Sequence, residues 1–148
     1  FEDFEPYSND FEAGDLSKFK AHEGTTLEIV DAIEGKALKI TPQVTDANTE
    51  ILKIDYPLPA WNSYKVTFKM QNVSGAAQAT KYYVKLFAQD GTEVDSKIVY
   101  MNVADVNDFE AVFAPVLKNQ NGAYIAIYCE KNAEPVYLDN FSIDIDAD

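Results

Sequence analysis

The stretch KYYVKLFAQDGTEVDSKIVYMNV, residues 81–103, decides the fold. Over 81–89, Tyr82, Val84, Leu86 and Ala88 fall on one side of an extended chain. Lys81, Tyr83, Lys85, Phe87 and Gln89 fall on the other. The alternation breaks at Asp90-Gly91 and resumes over 93–103. There Val99, Met101 and Val103 take the apolar side, and Ile98, Tyr100 and Asn102 the opposite one. Two runs of period two joined by Asp-Gly predict a β-hairpin, because the tight turns that match strand twist need positive φ at their centre.

The same period recurs on either side of the hairpin. KALKIT (36–41), TEILKIDY (49–56, stopped by Pro57 and Pro59), SYKVTFKMQN (63–72), DFEAVFAP (108–115), AYIAIYCEK (123–131) and VYLDNFSIDI (136–145) all alternate. The residues before 36 read as irregular, with a turn around Asp15–Lys18. There is no heptad, no sustained 3.6-residue pattern and no long repeat. Eight or nine short strands joined by turns predict an all-β fold, two antiparallel sheets packed as a β-sandwich of the jelly-roll type. At 148 residues the chain is long enough for one domain with a real core.

Composition narrows the partners. The net charge of −13 comes from 25 acids against 12 bases, all lysine, and such a surface repels nucleic acid and anionic membrane. It does not repel a neutral ligand. Cys129 is the single cysteine, so no internal disulfide forms, and its place on an apolar strand face makes it a small buried hydrophobe.

The outward faces then differ. Residues 63–72 turn out Lys65, Thr67, Lys69 and Gln71, an ordinary wet surface. Residues 123–131 bury Ile125, Ile127 and Cys129, and turn out Tyr124, Tyr128 and Glu130. If 81–89, 93–103 and 123–131 share a sheet, then Tyr83, Phe87, Gln89, Tyr100, Asn102, Tyr128 and Glu130 share one surface. Aromatic rings offer flat apolar faces to a sugar ring, and carboxylate and amide groups bond its hydroxyls. These seven are candidate ligand-binding residues, with Trp61, the one tryptophan, in the turn PAWNSY beside them. The competing reading makes the aromatics a second core layer under folded-over loops.

Four stretches carry a resemblance. DFEAGDLSKFKA (10–21), GKALKI (35–40), YKVTFKMQ (64–71) and VYLDNFSIDI (136–145) resemble, in order, motifs of the jelly-roll carbohydrate-binding modules grouped as families 4, 9, 16 and 22. Phe19 stands where their opening motif usually has Trp. Members are non-catalytic modules of secreted polysaccharide-degrading enzymes such as xylanases. The resemblance implies that residues 1–148 are one such module taken from a larger enzyme, secreted or cell-surface, and monomeric beside its catalytic domain. It implies binding of β-linked plant cell-wall polysaccharide in an aromatic-lined cleft. The pair Tyr128-x-Glu130 is similar to one on the penultimate strand of xylan-binding members and favours xylan over β-glucan. It also implies a structural Ca²⁺ held by Glu12, Asp139 and a main-chain carbonyl near Lys36. Glu5 is a second candidate for the N-terminal ligand.

Strand parity sets Asp139 with Tyr137, Phe141 and Ile143, so it is expected to face inward, where a carboxylate needs either a metal or main-chain N–H donors. Catalysis finds little support. His22 is the only histidine and lies in the irregular start, which leaves any triad dependent on it. A glycosidase needs two carboxyls facing each other across a cleft. Glu130 is one candidate, with Glu50 and Asp55 weak second ones. Rivals to the binding module are therefore a structural or adhesion sandwich and a small jelly-roll hydrolase or lyase. Asn72-Val73-Ser74 matches an N-glycosylation acceptor, a tripeptide common by chance.

Overall fold

In a computed structural model that describes residues 4–33, 35–43, 49–59, 62–113 and 122–146, every alternating run of the sequence is a strand. These are β4 (Lys36–Thr41), β5 (Thr49–Leu58), β6 (Tyr64–Asn72), β7 (Lys81–Phe87), β8 (Glu93–Tyr100), β9 (Asn107–Val112), β10 (Ala123–Cys129) and β11 (Val136–Ile145). Three more lie in the stretch expected to be irregular: β1 (Tyr7–Asn9), β2 (Phe19–Ala21) and β3 (Thr26–Asp31). β1 and β2 are three residues each, too short to show a period. No helix occurs among the described residues.

Two antiparallel sheets result. One runs β3-β4-β11-β6-β9, with β1 also pairing β11, and the other runs β2-β5-β10-β7-β8. Apart from the hairpins β3-β4 and β7-β8, neighbours are non-consecutive, such as β4 beside β11 and β5 beside β10, as in a jelly-roll sandwich. β10, the most apolar strand, sits at the centre of the second sheet, paired to β5 on one side and β7 on the other. The Asp-Gly hairpin holds as expected: β7 pairs β8 from Lys81↔Tyr100 to Phe87↔Glu93, with Gly91 at φ 91°.

The inward residues of both sheets meet in one core. Leu38, Val66, Phe68 and Leu138 from the first sheet face Leu52, Val84, Ile125 and Ile127 from the second, all at most 2% exposed. Burying a side chain of this size contributes roughly 1.5–3 kcal/mol. Cys129 belongs to this core, and burial pushes its thiol up to about 12. It is an inert hydrophobe, as its strand parity indicates.

Two parity readings fail at strand ends. Val103 is 43% exposed rather than buried, because β8 ends at Tyr100 and the chain leaves the sheet. In β11, Leu138 and then Phe141 face the core, with a register shift between Asp139 and Ser142 and Asn140 at φ 49°. This irregularity inside β11 takes Tyr137 and Asp139 off the face of Phe141 and Ile143 despite their shared parity. Asp139 is nevertheless only 1% exposed. Asn72 is equally buried, its amide donating to the carbonyls of Met101 and Val103 and accepting from Gln78. That occupation removes it as a glycosylation acceptor.

Candidate functional site

The outer face of the β2-β5-β10-β7-β8 sheet carries the aromatic stripe. Register assembles it in rows across the strands. Glu130 follows the end of β10 beside Lys81 and Tyr100, and its N–H donates to the Lys81 carbonyl. The next row is Glu50, Tyr128, Tyr83 and Ile98, then Lys53, Ala126, Lys85 and Ser96, then Tyr124, Phe87 and Glu93. Residues two apart on a strand stand about 7 Å apart on one face, so the rows span a few sugar units.

The rings are joined to one another. Phe87 stacks on Tyr124 at 5.4 Å and on Tyr128 at 5.5 Å between centroids. Ala126, between the two tyrosines, is fully buried, which leaves the room the Phe87 ring needs. Phe87 itself is 6% exposed. It is therefore the floor of the stripe rather than an open platform, a correction to its expected role. Lysine ammonium groups also lie against the tyrosine rings. Lys53 Nζ lies 4.3 Å from the centroid of Tyr124, and Lys85 Nζ 4.8 Å from that of Tyr128. Lys85 also pairs with Glu93 at 2.8 Å.

Glu130 is a positioned acceptor. Its Oε1 accepts from the Lys81 N–H at 2.6 Å, and its Oε2 lies 3.5 Å from the Tyr83 hydroxyl, which donates to it. The two contacts orient both carboxylate oxygens as acceptors on this face. Burial raises the pKa of the hydroxyls of Tyr83, Tyr124 and Tyr128. After burial, the Glu130 charge adds to the rise at Tyr83, and the Glu50 charge to the rise at Tyr124 and Tyr128. All three therefore remain hydrogen-bond donors at neutral pH.

The other expected site residues distribute unevenly. Tyr100 lies on the same face, 52% exposed, with Lys81 5.9 Å from its ring. Gln89 is exposed at the turn after β7, its side chain lying over Gly122 at the entry to β10. Asn102 lies past the end of β8, exposed, and no contact ties it to the stripe. Trp61 falls outside the described residues. Tyr124, Lys85 and Lys53 were not among the candidate ligand-binding residues, and Glu50 was only a weak candidate for a second carboxylate. Tyr124 had the right parity. Glu50 is a direct partner of Tyr128, so of the two weak candidates for a second carboxylate it is the one in the Tyr128 row. A bulge at Ile51, which pairs with nothing on β10 while Leu52 meets Ile127, hides this from a simple period-two count. His22 lies 3.9 Å from Glu50 and is an exposed surface residue.

Two grooves, of about 550 and 420 Å³, lie elsewhere, against the other sheet, and neither is lined by a residue of the stripe. They meet at Asn140. Their aromatic residues, Tyr7, Phe68, Phe109 and Phe141, pack against the core. The stripe, whose rings border solvent beside oriented donors and acceptors, is the better candidate for a sugar.

At the expected metal position, Glu12 Oε2 accepts from the Lys36 N–H at 2.6 Å. Gly35, at φ 80°, makes room, since a Cβ there would lie 2.7 Å from both Glu12 oxygens. Asp139 comes one residue past Leu138↔Leu38, the last pair between β11 and β4, and its Oδ1 accepts from the Asn140 N–H. Glu12 thus caps the start of β4, and Asp139 lies on the neighbouring strand one residue past the partner of Leu38. Glu5 instead is exposed, its carbonyl accepting from the Tyr56 hydroxyl. Among the described residues no group of three or more His, Cys, Asp or Glu could hold a metal. Two acids completed by main-chain carbonyls still suit a hard cation such as Ca²⁺.

No family model and no curated protein sequence matches this chain. Solved structures do. The CBM22-2 xylan-binding domain from Paenibacillus barcinonensis Xyn10C superimposes with a TM-score of 0.63 at 15% identity, over 94% of this chain and 98% of that one. The CBM22-1-GH10 modules of Clostridium thermocellum Xyn10B, complexed with xylohexaose, give 0.70 at 14% identity, over 97% and 29%. The arabinose-bound MgGH51 α-L-arabinofuranosidase gives 0.68 at 9% identity, over 90% and 24%. The chain thus spans the whole of the isolated domain but about a quarter of the two larger proteins. The fold shared with them is the jelly-roll β-sandwich.

Proposed function

We propose that this protein is a non-catalytic module that binds β-linked plant cell-wall polysaccharide, xylan first, and holds an attached glycoside hydrolase on its substrate. The observation that carries the reading is the ring column Tyr124–Phe87–Tyr128 with the anion of Glu130 and the hydroxyl of Tyr83 at one end. A pyranose can pack its C–H face against the exposed parts of the rings while its hydroxyls donate to Glu130 and accept from the tyrosines. Fold neighbours described as xylan-binding support the choice of polymer. Tethering would raise the local substrate concentration of the attached enzyme. We further propose that Glu12, Asp139 and the Lys36 carbonyl hold a structural Ca²⁺, which would supply cross-bridging charge and no chemistry toward sugar.

Calorimetric titration with xylohexaose, followed by product analysis after long incubation, tests the reading. The expected result is saturable binding without shorter products. Absence of binding, or release of shorter oligosaccharides, overturns it.

A further inference from the structure

One row across the outer face of the second sheet reads Lys20, Lys53, Ala126, Lys85, Ser96, each the direct partner of the next. Like charges directly opposite one another destabilise an antiparallel pair. Lys20 and Lys53 are such a pair, in a chain with 25 acids among which to find partners. Lys85 has Glu93 at 2.8 Å. Lys20 and Lys53 have no carboxylate within 4 Å among the described residues. Lys53 rests instead on the Tyr124 ring, in the stripe proposed to take the polysaccharide. The acids of the same face are otherwise placed. Glu50 lies beside His22 in the Tyr128 row, Glu130 accepts from Lys81 and Tyr83, and Asp55 is two residues further along β5.

A neutral polymer makes no use of two like charges set directly opposite each other at the edge of an aromatic column. We infer that the polysaccharide taken by this face bears carboxylates, as uronic acid branches on a β-linked chain. The branch anion lies against Lys20 and Lys53 while the main chain packs along the Tyr124–Phe87–Tyr128 column. This rests on the function proposed above and names its substrate class. The row also offsets the repulsion that a net charge of −13 imposes on any anionic polymer, a field screened beyond about 10 Å so that the nearest charges decide.

The test compares glucuronoxylan with the same polymer after its carboxyls are reduced to alcohols, which keeps the branching and removes the charge. Exposed lysine–carboxylate contacts predict binding about threefold to fivefold tighter for the native polymer in low salt, with the gap closing in high salt. The Lys20→Gln/Lys53→Gln double variant, checked for an unchanged circular dichroism spectrum, should bind both polymers alike. Equal wild-type affinity for the two polymers overturns the inference and leaves polysaccharide binding standing. A double variant that keeps the wild-type preference overturns it too, because the anion then lies elsewhere. Failure of both polymers and of xylohexaose to bind removes the proposed function along with it.

Discussion

Phe87 and Tyr128 stack at 5.5 Å and 27° although they are not cross-strand partners: Phe87 pairs with Tyr124, and Tyr128 with Tyr83. The Phe87 ring reaches diagonally along the sheet, past Ala126, to touch both tyrosines. Phe87 therefore supports the stripe from below. Phe87→Ala should lower stability by about 3 kcal/mol, a drop of about 10 °C in melting temperature, because a nearly buried ring leaves a cavity. The same variant should also weaken sugar binding, since both tyrosines lose their support. Thermal melts and a xylohexaose titration read the two effects. A variant as stable as wild type would mean that the ring column is loose.

Tyr128→Ala should separate the two effects. Its ring is partly exposed, so stability should fall by less than for Phe87→Ala, while affinity for xylohexaose falls about tenfold, ~1–2 kcal/mol of lost stacking. Tyr124→Ala should behave likewise. Wild-type affinity in both variants would place the ligand off this face.

How far the sequence showed these residues follows from where its period was intact. Tyr83, Tyr100, Tyr128 and Glu130 were legible because β7, β8 and β10 alternate without interruption through them. Glu50 was legible only as a weak candidate, because the Ile51 bulge shifts β5 by one residue. Asp139 is buried as expected, but the irregularity at Asn140 breaks the face it was expected to share with Phe141. Phe87 had the right face but the wrong role, since alternation tells which side a ring is on and not what its neighbours cover. The lysine row was invisible, because it depends on which strands are adjacent and in what register.

Alkaline pH should destabilise the fold through Cys129 and Tyr82. Burial raises both, the thiol from 9.0 to about 12, with the Glu130 charge adding to it. The Tyr82 hydroxyl, raised by burial and then by Cys129, donates to the Glu134 carbonyl. A folded-state pKa above the unfolded one means that the neutral group's contribution is complete below about pH 9. It is lost as pH rises from there through 12, at up to about 1.4 kcal/mol per pH unit per group. Urea unfolding at pH 7, 9 and 10 should show the loss, and Cys129→Ala should flatten it between pH 9 and 10. An equal slope in the variant would exclude the thiol as a cause.

Calcium should stabilise the protein without entering sugar binding. If Glu12 and Asp139 share a cation, a chelator should lower the melting temperature by an amount set by occupancy, leaving the xylohexaose affinity of the folded protein unchanged. Gly35→Ala should abolish the calcium effect, because the new Cβ falls 2.7 Å from both Glu12 oxygens and the position sits at φ 80°. Identical melts with and without chelator, in protein shown by elemental analysis to hold calcium, would remove the site.

Glu130 is both a latch and an acceptor, and two substitutions divide those roles. Its Oε1 takes the Lys81 N–H that follows the β10–β7 ladder, and its Oε2 takes the Tyr83 hydroxyl. Glu130→Gln keeps an amide oxygen for the Lys81 N–H and so keeps the latch. It loses the charge, and with it the stronger kind of hydrogen bond to a sugar hydroxyl. Its melting temperature should stay near wild type while affinity for xylohexaose falls about tenfold, as expected for ~1.4 kcal/mol of lost charge-assisted bonding. Glu130→Ala loses both roles and should lower stability by about 1 kcal/mol as well. Should Glu130→Gln bind xylohexaose like wild type while Glu130→Ala only melts earlier, Glu130 is a latch alone, and the hydroxyl acceptor of this face must be sought at Glu50, across the ladder from Tyr128.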